Sequence, residues 1–265
     1  FNGTDDRIDI PQIDITGDKS VSFWIKRDSS APSDDGGIFT MAPASGTTDF
    51  LHIGFWQNTI QAQVSTSAST KKNVSPGGQI SVDTWYHIVL IKSNNSIDNI
   101  YINGVNKTLG ATGSWTGNIA TPQSKIGETT FGATDHNFFG KINNFSIYNS
   151  QLSAAQVQTL YNEGKPFDLN TFAVTPVSWW RLGAVNSSFD GTNWTILDEI
   201  STSGNNGTSA NMTQADLVDG VGATGSGTSS GMSSGTNKTG DAPYSTSNSV
   251  SYNMSVTAKS TSVPT

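Results

Sequence analysis

Short apolar runs separated by turn residues fill roughly the first 150 positions of the chain. Within residues 20–26, Val21, Phe23 and Ile25 alternate with other positions and share one face of an extended strand. Residues 85–92 form a more continuous apolar run, which indicates a strand buried on both sides. Another apolar run ends at Asn103-Gly104, a strong signal for a type I′ hairpin. Many short strands divided by turns predict an antiparallel β-sandwich.

One short helix is predicted over residues 153–163, directly after these strands. Ser153 can cap it, and Gln156 three residues later completes a capping box. Val157 and Leu160 then fall on one helical face, which would pack against the sandwich. A glycine and a proline follow where they would end the helix.

The last hundred residues have a different pattern. They open with a strand-like apolar segment at 176–182, but fifteen of the twenty residues 221–240 are Gly, Ser or Thr. That composition is typical of a flexible tail. Near the end, apolar and polar residues alternate again, so we expect residues 248–258 to be an extended, docked strand, and the sequence leaves open what it docks on.

Composition and charge narrow the function classes. Charged residues make up only 13% of the chain, about half the usual fraction, so Ser, Thr, Asn and Gly must cover most of the surface, as is common in secreted and virion proteins. A net charge of −7 without Lys/Arg clusters argues against nucleic acid and anionic membranes as partners. No apolar segment is long enough to predict insertion into a membrane.

The lack of cysteine excludes disulfides, thiolate metal sites and cysteine nucleophiles. Because the sequence begins at Phe1 rather than Met, we expect that a preceding segment has been removed.

Five segments, in order, resemble strands of the concanavalin A-like/laminin G-like (LamG) jelly-roll superfamily. They lie at residues 1–11, 22–26, 85–89, 101–104 and 140–161, the last reading GKINNFSIYNSQLSAAQVQTLY. The resemblance implies a mainly β fold, a concanavalin A-like jelly-roll sandwich of two antiparallel sheets with one short helix. A Gly/Ser/Thr-rich C-terminal extension containing strands would follow the sandwich.

The chain departs from the family pattern in the position of one strand along the sequence. The counterpart of the family's opening strand lies after the sandwich, at residues 177–182, with further matching motifs up to 218–220. The late strands could complete the sandwich of their own chain, be donated to a neighbouring subunit, or begin a second module. We therefore divide the chain into a LamG-like sandwich at 1–168 and an extension at 169–265 that completes the same or a neighbouring subunit's sandwich.

The carboxylates do not fit the pattern of a glycanase. Glycanases of this fold place two carboxylates at alternating positions of one strand, so that both face the substrate. Asp9, Asp14 and Asp18 are spaced too widely for this, and the adjacent Asp198 and Glu199 would point to opposite faces. No G-x-S-x-G motif accompanies the three histidines. We predict no catalytic residues.

The family resemblance also implies candidate ligand sites. No cofactor is predicted to be required, but relatives often bind Ca²⁺ through loop carboxylates, although aspartate is also a common turn residue. The candidate Ca²⁺ ligands are Asp5, Asp6, Asp34, Asp35 and Asp135. A glycan site would combine aromatic platforms with polar neighbours, although each aromatic could instead pack in the core. The candidate glycan-binding residues are Trp56, Trp115, Asp135, His136, Asn137 and Phe138. Three other tryptophans, Trp24, Trp85 and Trp179, are predicted to lie in the core.

The leading functional hypothesis is a non-enzymatic virion surface protein, because the whole pattern also resembles structural proteins of marine bacteriophages. Such a capsid decoration, head-fibre or tail-fibre component would contact copies of itself, other virion proteins and host-surface polysaccharide, with many copies supplying avidity. One alternative is a secreted or cell-surface bacterial adhesin with the same lectin-like module. Another is an accessory binding domain of a polysaccharide-degrading enzyme.

Overall fold

The computed structural model describes the chain up to residue 217, with gaps. The described residues are 1–14, 16–31, 36–42, 49–67, 69–76, 80–110, 113–116, 123–131, 134–183, 187–200 and 204–217. The strand expected at 248–258 and the motif at 218–220 lie outside these residues.

Two antiparallel sheets form a sandwich. The larger sheet has nine strands, in the spatial order β16 (Ser188–Phe189), β17 (Trp194–Ile196), β18 (Gly207–Ala210), β1 (Arg7–Ile10), β11 (Gln123–Ile126), β3 (Gly37–Ala42), β4 (Phe50–Trp56), β5 (Thr59–Thr66) and β6 (Ser69–Val74). The smaller has the order β10 (Gly113–Ser114), β8 (Ser96–Ile102), β7 (Trp85–Ser93), β2 (Lys19–Arg27), β14 (Gly140–Tyr148) and β15 (Ser178–Trp180), and β9 (Val105–Lys107) also pairs with β8. A separate hairpin joins β12 (Glu128–Phe131) to β13 (Thr134–Asn137). The predicted fold class is confirmed.

The main core lies between the two sheets, where the alternating pattern predicted it. Val21, Phe23 and Ile25 of β2 all point into it and are at most 1% exposed. On β7, Ile88 faces this core, while Val89 packs into a second cluster on the outer face of the smaller sheet. That second cluster is the reason that the strand reads as continuously apolar.

Helix α1 (Ala154–Tyr161) covers this second cluster. The capping box is confirmed, since Ser153 Oγ accepts the Gln156 N–H at 3.3 Å and the Gln156 side chain accepts the Ser153 N–H at 2.8 Å. The helix ends earlier than predicted, because Asn162 adopts the left-handed conformation that ends helices. A 3₁₀ turn (Asn162–Gly164) and a second one (Leu169–Thr171) follow.

The three tryptophans predicted to be core residues differ in burial. Trp24 and Trp179 are buried, at 3% and 2% exposure. Trp85 is only half-buried. It is the first residue of β7 and pairs with Lys26 near the end of β2, at the edge of the packed region.

The late strands lie in both sheets of the same chain. β15 pairs with β14, placing Trp180 opposite Phe145, and β18 pairs with β1, placing Ser209 opposite Ile8. Trp180 is 0% exposed and belongs to the main core. Residues on either side of position 168 therefore share one core.

His87 of β7 is a buried titratable side chain that packs between the rings of Trp24 and Tyr161. Its ring centroid lies 5.0 Å from that of Trp24 and 6.2 Å from that of Tyr161. Its Nε2 is 2.9 Å from the Ser22 hydroxyl oxygen. Burial away from water disfavours the charged ring and lowers the pKa of His87 to about 3.

Acid is expected to destabilise the fold through His87. Below pH about 6.5 the unfolded chain takes up this proton, whereas the folded chain does so only near pH 3. His87 should therefore lower the unfolding free energy by about 1.4 kcal/mol per pH unit across that window. Urea denaturation at pH 7 and pH 4.5 measures this, with His87→Phe as the control that keeps an aromatic ring in place. An equal loss in both proteins would contradict the assignment to His87.

Candidate functional site

Trp56 is the exposed aromatic residue of the described part of the chain. It ends β4 and is 52% exposed, whereas every other Trp, Tyr or Phe whose side chain is described is half-buried or buried. The turn that follows, Gln57-Asn58, has φ values of 50° and 60°, which suit the tight hairpin to β5. The indole is thus presented at one end of the sandwich, on a two-residue turn.

Arg27 anchors this turn to the other sheet. It is the last residue of β2 and only 1% exposed. Its Nη1 donates to Asn58 Oδ1 at 2.6 Å and to the Ile80 carbonyl at 3.2 Å, and its guanidinium lies 4.7 Å from the centre of the Phe55 ring. The Ile80 N–H also donates to the Asn58 carbonyl at 2.7 Å. These bonds fix the conformation of the turn next to Trp56.

Residues 136–138 lie at the same end of the sandwich. His136 and Asn137 belong to β13, and the Asn137 amide donates to the Thr4 carbonyl at 2.5 Å. Phe138 is 1% exposed and stacks on Phe55, the neighbour of Trp56, with 6.2 Å between the ring centres. Phe138 therefore holds the hairpin against the sheet and offers no face for a sugar. The strand pairing places Asp135 opposite Thr130.

Trp115 lies at the opposite end. The backbone N–H of Trp115 donates to the Asn95 carbonyl. The Thr66 hydroxyl donates to the carbonyl of the next residue along the chain, Thr116. Because Thr66 ends β5 and Thr59 begins it, about 20 Å of strand separates this region from the turn at Trp56. The ring is 6% exposed and packs into the main core. Its glycine-flanked sequence predicts a loop platform, but burial removes it from the candidate set.

The N-terminal turn uses its aspartates for internal bonds. Asn2 Oδ1 accepts the N–H groups of Thr4, Asp5 and Asp6. Asp6 is 1% exposed, its Oδ2 accepts the Asn2 N–H at 2.9 Å, and burial raises the pKa of this carboxyl. Asp5 accepts from the Asn2 side-chain amide.

Calcium binding stays a prediction. In the residues that the structure describes, no three His, Asp or Glu side chains converge in a way that could hold a metal ion. Asp34 and Asp35 lie outside the described residues.

Across the described ranges, no helix combines the length and apolarity that crossing a membrane requires.

Arg27, which positions the turn next to Trp56, was not identified in the sequence analysis. The alternation in β2 contained the signal, because Arg27 shares the parity of Phe23 and Ile25, which face the core. A cation on an inward-facing position needs internal partners, and Asn58 and the Phe55 ring supply them here.

Comparisons with known proteins place this fold in a family. A family model described as the concanavalin A-like lectin/glucanases superfamily matches residues 2–158, more than half of the chain. No curated protein sequence is significantly similar to the chain.

Several solved structures are similar in fold. A heptameric SAP-like pentraxin from Limulus polyphemus is 18% identical over 59% of this chain and 82% of its own, with a TM-score of 0.42. Domain 4 of the extracellular arabinanase AbnA from Geobacillus stearothermophilus, solved with arabinotriose, is 21% identical over 58% and 72%, with a TM-score of 0.46. The receptor-binding domain of botulinum neurotoxin type G is 17% identical over 62% and 46%, with a TM-score of 0.43. These are distant likenesses, so the function is argued from this chain's own residues.

Proposed function

Since the chain belongs to the concanavalin A-like lectin/glucanase superfamily, we propose that it binds glycans through Trp56 and catalyses no reaction. The observation that carries this proposal is the 52% exposure of an indole on an anchored turn. An exposed indole face can pack against the apolar C–H face of a sugar ring. Because the turn is already fixed by Arg27, little conformational entropy is lost when a glycan binds.

Polar groups beside the indole supply the second part of a glycan site. The Gln57 side chain is exposed at the tip of the turn, and Thr59 follows on β5. Amide and hydroxyl groups can both donate to and accept from sugar hydroxyls, which fixes the orientation of a stacked ring. His136 and Asn137 of β13 are partly exposed at the same end and are proposed to extend this surface.

The bonding of the carboxylates supports a non-enzymatic role. Glu128, with a side chain 4% exposed, forms ion pairs with Arg7 and Lys125, and Asp9 pairs with the same Arg7. Asp198 accepts the N–H groups of Trp179 and Ile200. These carboxylates are engaged in ion pairs and hydrogen bonds within the fold.

We place the glycan-binding protein on the surface of a virion, as a capsid decoration, head-fibre or tail-fibre component. Its low content of charged residues and its many Ser, Thr, Asn and Gly residues support this placement. Copies of the chain and other virion proteins would then be its partners, and multiple weak contacts with host-surface polysaccharide would add up to firm attachment. The same site would serve a secreted or cell-surface bacterial adhesin, or an accessory domain of a polysaccharide-degrading enzyme.

A glycan array probed with the full chain tests the proposal. We expect binding to at least one class of polysaccharide, with affinity in the micromolar to millimolar range that is usual before multivalency. One arm contains Ca²⁺ and one contains EDTA, so that a calcium requirement would appear as binding in the first arm alone. No binding in either arm would exclude the glycan-binding role. Release of reducing sugar from a bound polysaccharide would contradict the non-enzymatic part.

A further inference from the structure

We propose that the Trp56 surface selects uncharged glycans and rejects acidic ones. This inference rests on the proposed glycan-binding function and assigns the class of its ligand. Glycan-binding sites that take carboxylated or sulfated sugars need an accessible cation, commonly an arginine whose planar fork matches the anion. The charges around Trp56 are arranged in the opposite way.

Arg27 reaches the turn from the interior and is turned away from solvent. Its guanidinium covers the Phe55 ring, and its Nη1 is bonded to Asn58 and to the Ile80 carbonyl. At 1% exposure it cannot present two donors to a sugar carboxylate without breaking these contacts. The cation of this turn therefore has a structural role and is not available to a ligand.

Lys26 points away from this surface, and Lys72 occupies a strand position further from it. Lys26 precedes Arg27 on β2 and so points to the opposite, outer face of the smaller sheet, where Lys141 pairs with it across the strands. Lys72 pairs with Val64, five residues along β5 from Thr59 and towards the other end of the sandwich.

The charged side chains that border Arg27 towards solvent are acidic. Asp83 is exposed, and its N–H donates to the Arg27 carbonyl at 2.8 Å. Asp28 follows Arg27 and is partly exposed, and its Oδ1 accepts the N–H of Ser30 at 2.9 Å and the Ser30 hydroxyl at 2.7 Å. These hydrogen bonds from Ser30, the backbone one first, lower the pKa of Asp28 and keep it ionised.

Residues 80–83 connect the acidic side chains to the turn next to Trp56. Ile80 bonds to Asn58, and Val82, which is 37% exposed, forms a bridge with Arg27. A glycan that stacks on Trp56 and extends along this segment passes Val82 and approaches both carboxylates. At a distance within the Debye length of ~10 Å at 0.1 M salt, those carboxylates repel an anionic sugar and leave a neutral one unaffected.

Matched polysaccharides that differ only in sulfation test this inference. The probes are dextran with dextran sulfate and desulfated κ-carrageenan oligosaccharides with κ-carrageenan oligosaccharides, titrated against the full chain at 50 mM and 300 mM NaCl. We expect the neutral member of a pair to bind at least five-fold more tightly than the sulfated one at 50 mM. The ratio should shrink at 300 mM because salt screens the repulsion.

A pair of charge-removing substitutions identifies the residues responsible. Asp28→Asn with Asp83→Asn should strengthen binding of the sulfated member at least three-fold at 50 mM NaCl and leave the neutral member unchanged. The matched control is Asp190→Asn with Asp18→Asn. Asp190 makes the same type of turn bond as Asp28, and Asp18 is exposed like Asp83. The control should change neither affinity, because Asp190 precedes β17, on the far side of the nine-stranded sheet from β4, and Asp18 precedes β2 at the opposite end of the sandwich.

The outcomes separate this inference from the proposed function. Equal or tighter binding of the sulfated members, or no response to the Asp28/Asp83 substitutions, would overturn the inference while glycan binding stands. Failure of the glycan array and of all four probes would overturn both.

Discussion

Replacing Trp180 with alanine is expected to remove about 3–5 kcal/mol of unfolding free energy, a large part of the ~5–15 kcal/mol that stabilises a typical domain. Trp180 is 0% exposed, and its ring lies 6.1 Å from that of Phe145 on the neighbouring strand. Its Nε1 donates to the Asn205 carbonyl at 2.8 Å, which ties β15 to the loop before β18. Alanine would leave a cavity in the main core and remove the hydrogen bond to the Asn205 carbonyl.

Urea denaturation of the full chain measures this loss. Trp180→Phe keeps a ring in the core and should cost less than Trp180→Ala, while Trp56→Ala at an exposed position should change stability by no more than about 0.5 kcal/mol. An unchanged midpoint in Trp180→Ala would mean that β15 does not contribute to this core. Repeating the measurement over a hundred-fold range of protein concentration separates completion within one chain from exchange between chains, because only exchange depends on concentration.

Replacing Trp56 with alanine is expected to weaken glycan binding at least ten-fold, equivalent to about 1.4 kcal/mol or more. The side chain supplies the large apolar face that a sugar ring would cover, and alanine supplies none. Because about half of the Trp56 side chain is exposed to solvent, the substitution should lower the affinity for glycan and leave the unfolding free energy nearly unchanged. Isothermal titration with a glycan that binds the unmodified chain measures it.

Two matched substitutions make the result specific. Trp56→Tyr retains a stacking face and should recover much of the affinity. Trp115→Phe at the other end of the sandwich changes a buried ring and should leave affinity unchanged. If Trp56→Ala binds as tightly as the unmodified chain, the platform lies elsewhere.

The pattern along the chain predicted local structure well, since it is set by neighbours in sequence. The alternation of Val21, Phe23 and Ile25 matches the burial of β2, and the Ser153–Gln156 capping box forms at the start of α1. The hairpin signal at Asn103-Gly104 joins β8 to β9 as expected. In each of these cases a short-range period or a turn conformation determines the outcome.

The partners of the late strands could not be read from the sequence. β15 pairs with β14, about thirty residues earlier, whereas β18 pairs with β1, about two hundred residues earlier. No local signal specifies such pairings, because they depend on which sheet edges the rest of the chain leaves open. The sequence analysis accordingly left same-chain completion, donation and a separate module as alternatives.

The candidate site was predicted only in part for a related reason. Trp56 and Trp115 both stand among turn residues, yet one is exposed and the other is packed in the core. Burial depends on what the rest of the fold places over each ring, which neither local sequence contains. The burial of Phe138 likewise depends on a distant strand, because its ring stacks on Phe55 of β4.

Nuclear magnetic resonance of the indole N–H groups tests most directly that glycans bind at Trp56. The chain has seven tryptophans, each with one indole N–H signal, and Trp56→Phe assigns the signal of interest. On titration of the ¹⁵N-labelled chain with a bound neutral glycan, we predict a saturable shift of the Trp56 signal while those of Trp115 and Trp180 stay in place. A glycan that saturates the protein without shifting the Trp56 signal would contradict the account.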